Sequence, residues 1–229
     1  MDIPIGGECD MTNYSIREAE ALAFKAFRGA YLTWGLAEEA ARATGWLLTN
    51  GFAGMDSIVL LLDENDSMPC ADLGPDDPET NRRPRPGVGA LCPVITGALL
   101  LDSAKHIAAG SMVHAGPVAH PALLLPFAAE LAKAESVSVQ IGWAGFEALL
   151  GDGGAQIVRG CEKLSIARAQ SVTVETKAAR PIAQSITHAR VELSDASRAQ
   201  LEHFAFRTFV PETEESRRLG AGGGTVDSD

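Results

Sequence analysis

The sequence predicts an α+β fold, in which an N-terminal α-helical hairpin packs on a mixed, mainly antiparallel sheet with further helices. Two observations carry this prediction. Residues 15–50 hold two apolar stripes at helical spacing, whereas the second half of the chain holds short runs in which apolar and polar residues alternate. Helices that cluster at one end of a chain, with strands elsewhere, favour an α+β fold over a doubly wound sheet.

The first helix of the hairpin begins after Ser15. Ser15 and Glu18 occupy the N-cap and N3 positions of a capping box, in which each side chain accepts a hydrogen bond from the other residue's backbone N–H. The residues that follow on one helical face are Ala19, Leu22, Ala23, Ala26, Phe27 and Ala30. Because most of them are small, another element can pack closely against this face.

The second helix is predicted from about Leu36 to Thr49. It is separated from the first by Trp34-Gly35, and Asn50-Gly51 ends it in the usual way for a helix C-terminus. The apolar run at residues 58–62 fits either a helix or a strand.

Residues 63–88 predict a long acidic, Pro-rich loop. The segment holds seven acidic residues, three arginines and five prolines. Loops of this length are commonly functional or disordered, and the composition favours a solvated surface loop.

Residues 89–207 predict the mixed α/β part of a single domain that covers residues 1–229. A helix opens at Pro121 or Pro126, and Ser194 is the N-cap of a last helix that reaches about Phe206. Strands are predicted at residues 112–119, 137–141, 171–176 and 188–193.

Net charge and cysteine spacing limit the classes of function that the chain can have. The formal net charge of −11 argues against nonspecific binding to nucleic acid or to an anionic membrane, because both favour basic surfaces. The four cysteines form no CxxC pair, and the first residues lack the pattern of a secretory signal. No apolar run approaches the length of a membrane span. These features predict a cytoplasmic protein with free thiols.

The Gly-rich tail, residues 208–229, is the first candidate binding segment. Its glycines permit positive φ and close approach to a ligand, and its paired arginines offer forked donors for carboxylate or phosphate. The candidate ligand-binding residues are Arg217, Arg218, Gly220, Gly222, Gly223 and Asp227. An arm that docks on a neighbouring subunit and a flexible chain end are the alternatives.

The corner of the hairpin is the second candidate. Arg28 and Glu38 are expected to meet across it, and Trp34 offers a flat apolar wall with one N–H donor. A structural interpretation is also open, because acids in the first turn of a helix are favoured by its dipole.

No metal site is predicted. His114 and His120 are separated by five residues, which is not a standard metal-ligand spacing. Asp63, Asn65 and Ser67 begin like an EF-hand loop, but the Gly and the bidentate Glu that such a loop requires are missing. The sequence identifies no catalytic residue and no cofactor.

Three segments resemble a family of uncharacterised bacterial proteins that is defined as a domain of unknown function. They are SIREAEALAFKAFRGAYLTWGLAEEAARATGWL, ALLLPFAAELAKAESVSVQIGW and FRTFVPETEESRRLGAGGGTVDSD. The resemblance covers nearly the whole chain from about residue 13. It implies a bacterial soluble protein and supplies no activity.

The leading hypothesis is therefore a cytoplasmic protein that binds or acts on a small anionic metabolite. It rests on arginines that stand out from a very acidic chain. The alternative is a non-catalytic subunit or assembly factor, a homo-oligomer that uses its tail as a docking arm.

Overall fold

The structure is a computed structural model that describes residues 11–30, 32–52, 54–77, 81–151, 154–182 and 187–209. Within these ranges the helices are α1 (Ile16–Gly29), α2 (Trp34–Thr49), α3 (Met55–Glu64), α4 (Pro93–Asp102), α5 (Ala104–Ala108), α6 (Leu125–Glu135) and α7 (Asp195–Phe206). The strands are β1 (Met11–Ser15), β2 (Pro75–Asp77), β3 (Asn81–Pro84), β4 (Val113–Ala115), β5 (Val118–Ala119), β6 (Ser138–Trp143), β7 (Phe146–Gly151), β8 (Gly154–Arg159), β9 (Arg168–Ala169), β10 (Val172–Lys177) and β11 (Arg190–Ser194).

A mixed, mainly antiparallel sheet confirms the predicted α+β class. Its strand order is β2-β3-β4-β10-β6-β7-β8, and the β3–β4 pair is parallel while the other neighbours are antiparallel. Two further two-stranded ribbons form, one between β1 and β11 and one between β5 and β9.

The helices form a layer whose centre is the predicted hairpin. α1 packs on α2 and on α7, and α2 also contacts α4 and α6. α6 lies directly on the main sheet, against β6 and β7. The core between these elements contains Phe27, Leu47, Leu124, Phe146 and Phe204, all fully buried.

The predicted caps of α1 and α7 are confirmed. Ser15 Oγ accepts from the Glu18 N–H at 3.3 Å, and Glu18 Oε2 accepts from the Ser15 N–H at 2.8 Å. Ser194 Oγ accepts from the Ser197 N–H at 3.1 Å. Local capping chemistry therefore fixes where both helices begin.

Each of these capped helices follows a strand, and the two strands pair with each other. β1 and β11 run antiparallel, from the Met11–Ser194 pair to the Ser15–Arg190 pair. The helices that follow them approach closely, because a Cβ atom added at Gly29 of α1 would lie 1.7 Å from the Phe204 carbonyl oxygen of α7.

The segment 63–88 carries more regular structure than the predicted loop. α3 reaches Glu64, a short 3₁₀ turn covers Cys70–Asp72, and β2 and β3 join the main sheet. Leu73 is buried, and its carbonyl oxygen accepts from the Cys92 N–H at 3.0 Å. A buried anchor and a strand pairing thus order the described parts of a stretch, residues 63–77 and 81–88, whose composition indicates solvation.

The predicted strand at 112–119 is divided. It forms β4 and β5, with a cis peptide bond between Gly116 and Pro117 in the intervening turn. The ambiguous run at 58–62 belongs to helix α3. Among the helices in the described ranges, none combines the length and the apolar character that a membrane crossing requires.

Candidate functional site

A polar cleft lies at the edge of the main sheet where β3 runs beside β4. Its volume is about 290 Å³. The side chains and backbone that form it come from β3, β4, the turn after β4 and the residues before β10. The polar residues in its lining are Arg82, Arg83, His114, Gln170 and Ser171. We call this site the basic cleft.

Strand pairing brings these residues together. Arg82 of β3 is the parallel partner of Ala115 in β4, and the Arg82 carbonyl oxygen accepts from the Gly116 N–H at 3.0 Å. On the other side of β4, His114 is the antiparallel partner of Thr173 in β10. Two arginines from the acidic segment thereby reach a histidine that is more than 30 residues away in the sequence.

Arg82 borders the basic cleft from β3. Its side chain is half-buried, and its Nη2 donates to Ser103 Oγ at 2.8 Å. Burial lowers the pKa of the Arg82 guanidinium from its ordinary value. The group nevertheless keeps its charge, because an arginine side chain is not deprotonated in proteins.

Arg83 and His114 are exposed polar residues of the cleft lining. A guanidinium offers a planar fork of N–H donors that matches a carboxylate or a phosphate, and an imidazole adds an N–H donor. The arrangement can bind an anion by charge-assisted hydrogen bonds.

The predicted corner residues also come together, but on the surface of the hairpin. The Arg28 guanidinium carbon lies 5.5 Å from the Trp34 ring centroid, and Trp34 Nε1 donates to Glu38 Oε1 at 2.8 Å. Arg28 also donates to the Leu32 carbonyl oxygen. These contacts engage the Trp34 N–H and an Arg28 N–H within the hairpin. A ligand-binding role for Arg28, Trp34 and Glu38 stays a prediction.

The predicted tail residues lie outside the described residues. They are Arg217, Arg218, Gly220, Gly222, Gly223 and Asp227. Their proposed binding role stays a prediction.

The two histidines considered as a metal pair are separated into different environments. His114 is exposed in the basic cleft, whereas His120 is 3% exposed and has a left-handed backbone with φ of 40°. His120 Nε2 lies 3.5 Å from Glu64 Oε1, which is long for a hydrogen bond. Burial lowers the pKa of His120, and the nearby Glu64 carboxylate opposes that shift.

The described residues include no group of three or more His, Cys, Asp or Glu side chains placed to hold a metal ion.

Sequence reasoning missed the basic cleft for a topological reason. Arg82 and Arg83 stand out as a basic pair inside an acidic segment, and this was the available signal. Their partner His114 follows only from the parallel pairing of β3 with β4, which local pattern does not reveal.

Comparison with protein families gives one match. The model of a family described as "Protein of unknown function (DUF3726)" matches residues 14–84. This confirms the resemblance to an uncharacterised family over that segment, which runs from β1 through the hairpin to Arg82 and Arg83 of the basic cleft. No match was found among curated proteins or among solved structures.

Proposed function

We propose that the protein binds a small anionic metabolite, a carboxylate or a phosphate ester, in the basic cleft. The observation that supports this proposal is that the exposed residues Arg83 and His114 line one polar cleft, which Arg82 also borders, in a chain of net charge −11. In such a chain, a cationic cleft gives a small anion a local site that the overall charge does not provide.

The proposed setting is the bacterial cytoplasm. It rests on the resemblance to a bacterial family and on cysteines that remain free thiols at Cys70, Cys92 and Cys161. In this proposal neither nucleic acid nor membrane is a partner, since the acidic charge disfavours both.

The test is isothermal titration of the whole chain with inorganic phosphate and with succinate at low ionic strength. In the Arg83→Gln variant we expect at least about tenfold weaker binding, the usual cost of losing one charge-assisted hydrogen bond. The matched control is Arg17→Gln, which removes the same charge from an exposed position on α1. Equal affinities in the two variants, or no binding by the unaltered protein, would refute the proposal.

A role in assembly is the second candidate, and one observation favours it. Phe206 and Phe209, at the end of α7, are 73% and 61% exposed and their ring centroids lie 5.6 Å apart. Exposed aromatic pairs are typical of contact surfaces between proteins. A homo-oligomer that forms through this surface would dissociate in the Phe206→Ser/Phe209→Ser double variant, as native mass spectrometry would show. If the unaltered protein is monomeric at all concentrations, the assembly role is refuted.

A further inference from the structure

A second cleft, unlike the basic cleft in charge, lies where α2, α4 and α6 meet. Its volume is about 390 Å³, within the range of small-ligand pockets. The residues that define it are Glu39, Arg42, Trp46, Leu101, Phe127 and Glu130. We call it the helical cleft.

Helical spacing explains how these side chains share one space. Glu39, Arg42 and Trp46 are at positions i, i+3 and i+7 of α2 and therefore lie on one face. Phe127 and Glu130 are three residues apart on α6. The cleft thus has an aromatic wall from two helices and a charged group on each of them.

One oxygen in the helical cleft lacks a partner. Glu39 Oε2 is buried from solvent, and no hydrogen bond from the described residues reaches it. Burial raises the pKa of Glu39; the Asp102 carboxylate adds to this shift, and Arg42 opposes it. Leaving a buried carboxylate oxygen without a donor is costly, so the site has an unmet need for an N–H or O–H donor.

The charge of the surroundings selects the kind of donor. Glu39 and Glu130 line the cleft, and Asp102 is close enough to act on Glu39, whereas Arg42 is the cation of the lining. The net charge of these four side chains is negative, and this favours a positively charged donor. Trp46 and Leu101, both half-buried, offer apolar contact area for the remainder of such a molecule.

We propose that the helical cleft binds a small organic ammonium with an apolar body. The ammonium pairs with the Glu39 carboxylate, and the apolar body packs against Trp46 and Leu101. This site lies outside the basic cleft and takes a ligand of the opposite charge, so it goes beyond the function proposed above.

The experiment compares two probes of nearly equal size by isothermal titration of the whole chain. 2-Phenylethylammonium carries the charged donor, and 2-phenylethanol replaces it with a neutral hydroxyl. We expect saturable binding of the ammonium and at least about tenfold weaker binding of the alcohol, because a charge-assisted hydrogen bond is about twice as strong as a neutral one.

Variants locate the contact. Glu39→Gln is expected to weaken ammonium binding at least about tenfold, whereas Glu162→Gln, which removes the same charge from an exposed position, leaves it within about twofold. Urea unfolding of both variants checks that each remains folded. Arg83→Gln should not affect this binding, which distinguishes a failure here from a failure of the anion-binding proposal.

Proton release gives a second readout. An ammonium favours the ionised form of Glu39, so binding at a pH near the raised pKa of this carboxyl releases a proton. The heat of binding then depends on the ionisation enthalpy of the buffer, and this dependence disappears in Glu39→Gln.

Three outcomes would overturn the proposal. They are equal binding of the ammonium and the alcohol, equal binding by the unaltered protein and Glu39→Gln, and absence of saturation up to about 20 mM ammonium, which would mean a binding free energy weaker than about 2.3 kcal/mol. Tighter binding of phenylalanine than of the ammonium, lost in Arg42→Gln, would refine the ligand class to a zwitterionic amino acid.

Discussion

The Arg207 guanidinium donates to both carboxylate oxygens of Asp66, at 2.5 and 3.1 Å, across 141 residues of sequence. The central carbon of the Arg207 guanidinium lies 4.5 Å from the ring centroid of Phe204. This bidentate pair connects the end of α7 to the turn after α3. It is the type of ion pair whose geometry makes a measurable contribution to stability.

The Asp66–Arg207 pair predicts a loss of stability in acid. The hydrogen bond from Arg207 lowers the pKa of Asp66 below its ordinary value. The stabilisation is complete above the unfolded pKa of about 3.9 and is lost as the pH falls through the lower folded value. Asp66→Asn should cost on the order of 1 kcal/mol at neutral pH and much less near pH 2.

Urea unfolding at these two pH values measures the effect. Asp76→Asn, at an exposed position in β2, is the control and should change stability little at either pH. An Asp66→Asn cost that is the same at both pH values would contradict the role assigned to the carboxylate charge.

Two glycine substitutions should have opposite effects on stability. A Cβ atom at Gly97 in α4 would lie 2.3 Å from the Phe127 ring, so Gly97→Ala should destabilise the protein by about 1–3 kcal/mol. At Gly35 in α2 no atom lies within 4 Å of the added Cβ. Gly35→Ala should therefore stabilise by up to about 1 kcal/mol through helix propensity. Urea midpoints of the two variants test the close packing of α4 on α6.

His120 predicts a dependence of stability on pH near neutrality. Burial lowers the pKa of His120, so below the ordinary histidine value of about 6.5 the unfolded chain binds a proton more readily than the folded one. The free energy of unfolding should therefore decrease as the pH falls from about 6.5 toward the lower pKa of His120 in the folded protein.

The variant His120→Asn tests this, because Asn tolerates the left-handed backbone at this position. The fall in unfolding free energy between about pH 7.5 and pH 5.5 should be smaller in this variant. The control is His106→Asn, at an exposed position, in which the fall in unfolding free energy should equal that of the unaltered protein. An unchanged slope in His120→Asn would assign the effect to other groups.

The described thiols should differ in reactivity. Burial raises the pKa of Cys92 to about 11, whereas Cys161 is exposed. Iodoacetamide at neutral pH should modify Cys161 in the folded protein and leave Cys92 unmodified until urea is added, because the thiolate is the reactive form. Peptide mass spectrometry reads both sites, and rapid native labelling of Cys92 would show that its environment is open.

Local chemistry explains which elements the sequence predicted. The Ser15–Glu18 capping box and the Ser194 cap act between residues three positions apart, so both helix starts could be identified without tertiary information. β7 was not predicted. Its residues include Glu147, Ala148, Leu149 and Leu150, which favour helix, and pairing with β6 overrides that preference.

The two clefts also differ in how much of each could be predicted from local sequence. Glu39, Arg42 and Trp46 share a face of one predicted helix, so the spacing of the helical cleft was open to sequence reasoning, although its α6 wall was not. The basic cleft needs Arg82 beside Ala115, a pairing set by how the sheet assembles. Site prediction from sequence therefore stopped where contacts between distant residues began.

The pairing of β1 with β11, and of α1 with α7, has a consequence for synthesis of the chain. The ribosome releases the hairpin roughly 150 residues before α7, which is on the order of ten seconds at ordinary elongation rates. Throughout this delay the side of the nascent hairpin that α7 later covers, including Gly29 opposite Phe204, faces water or a chaperone. The packing of α7 on α1 and the pairing of β11 with β1 join segments that lie far apart in the sequence. We therefore expect this step to limit the folding rate.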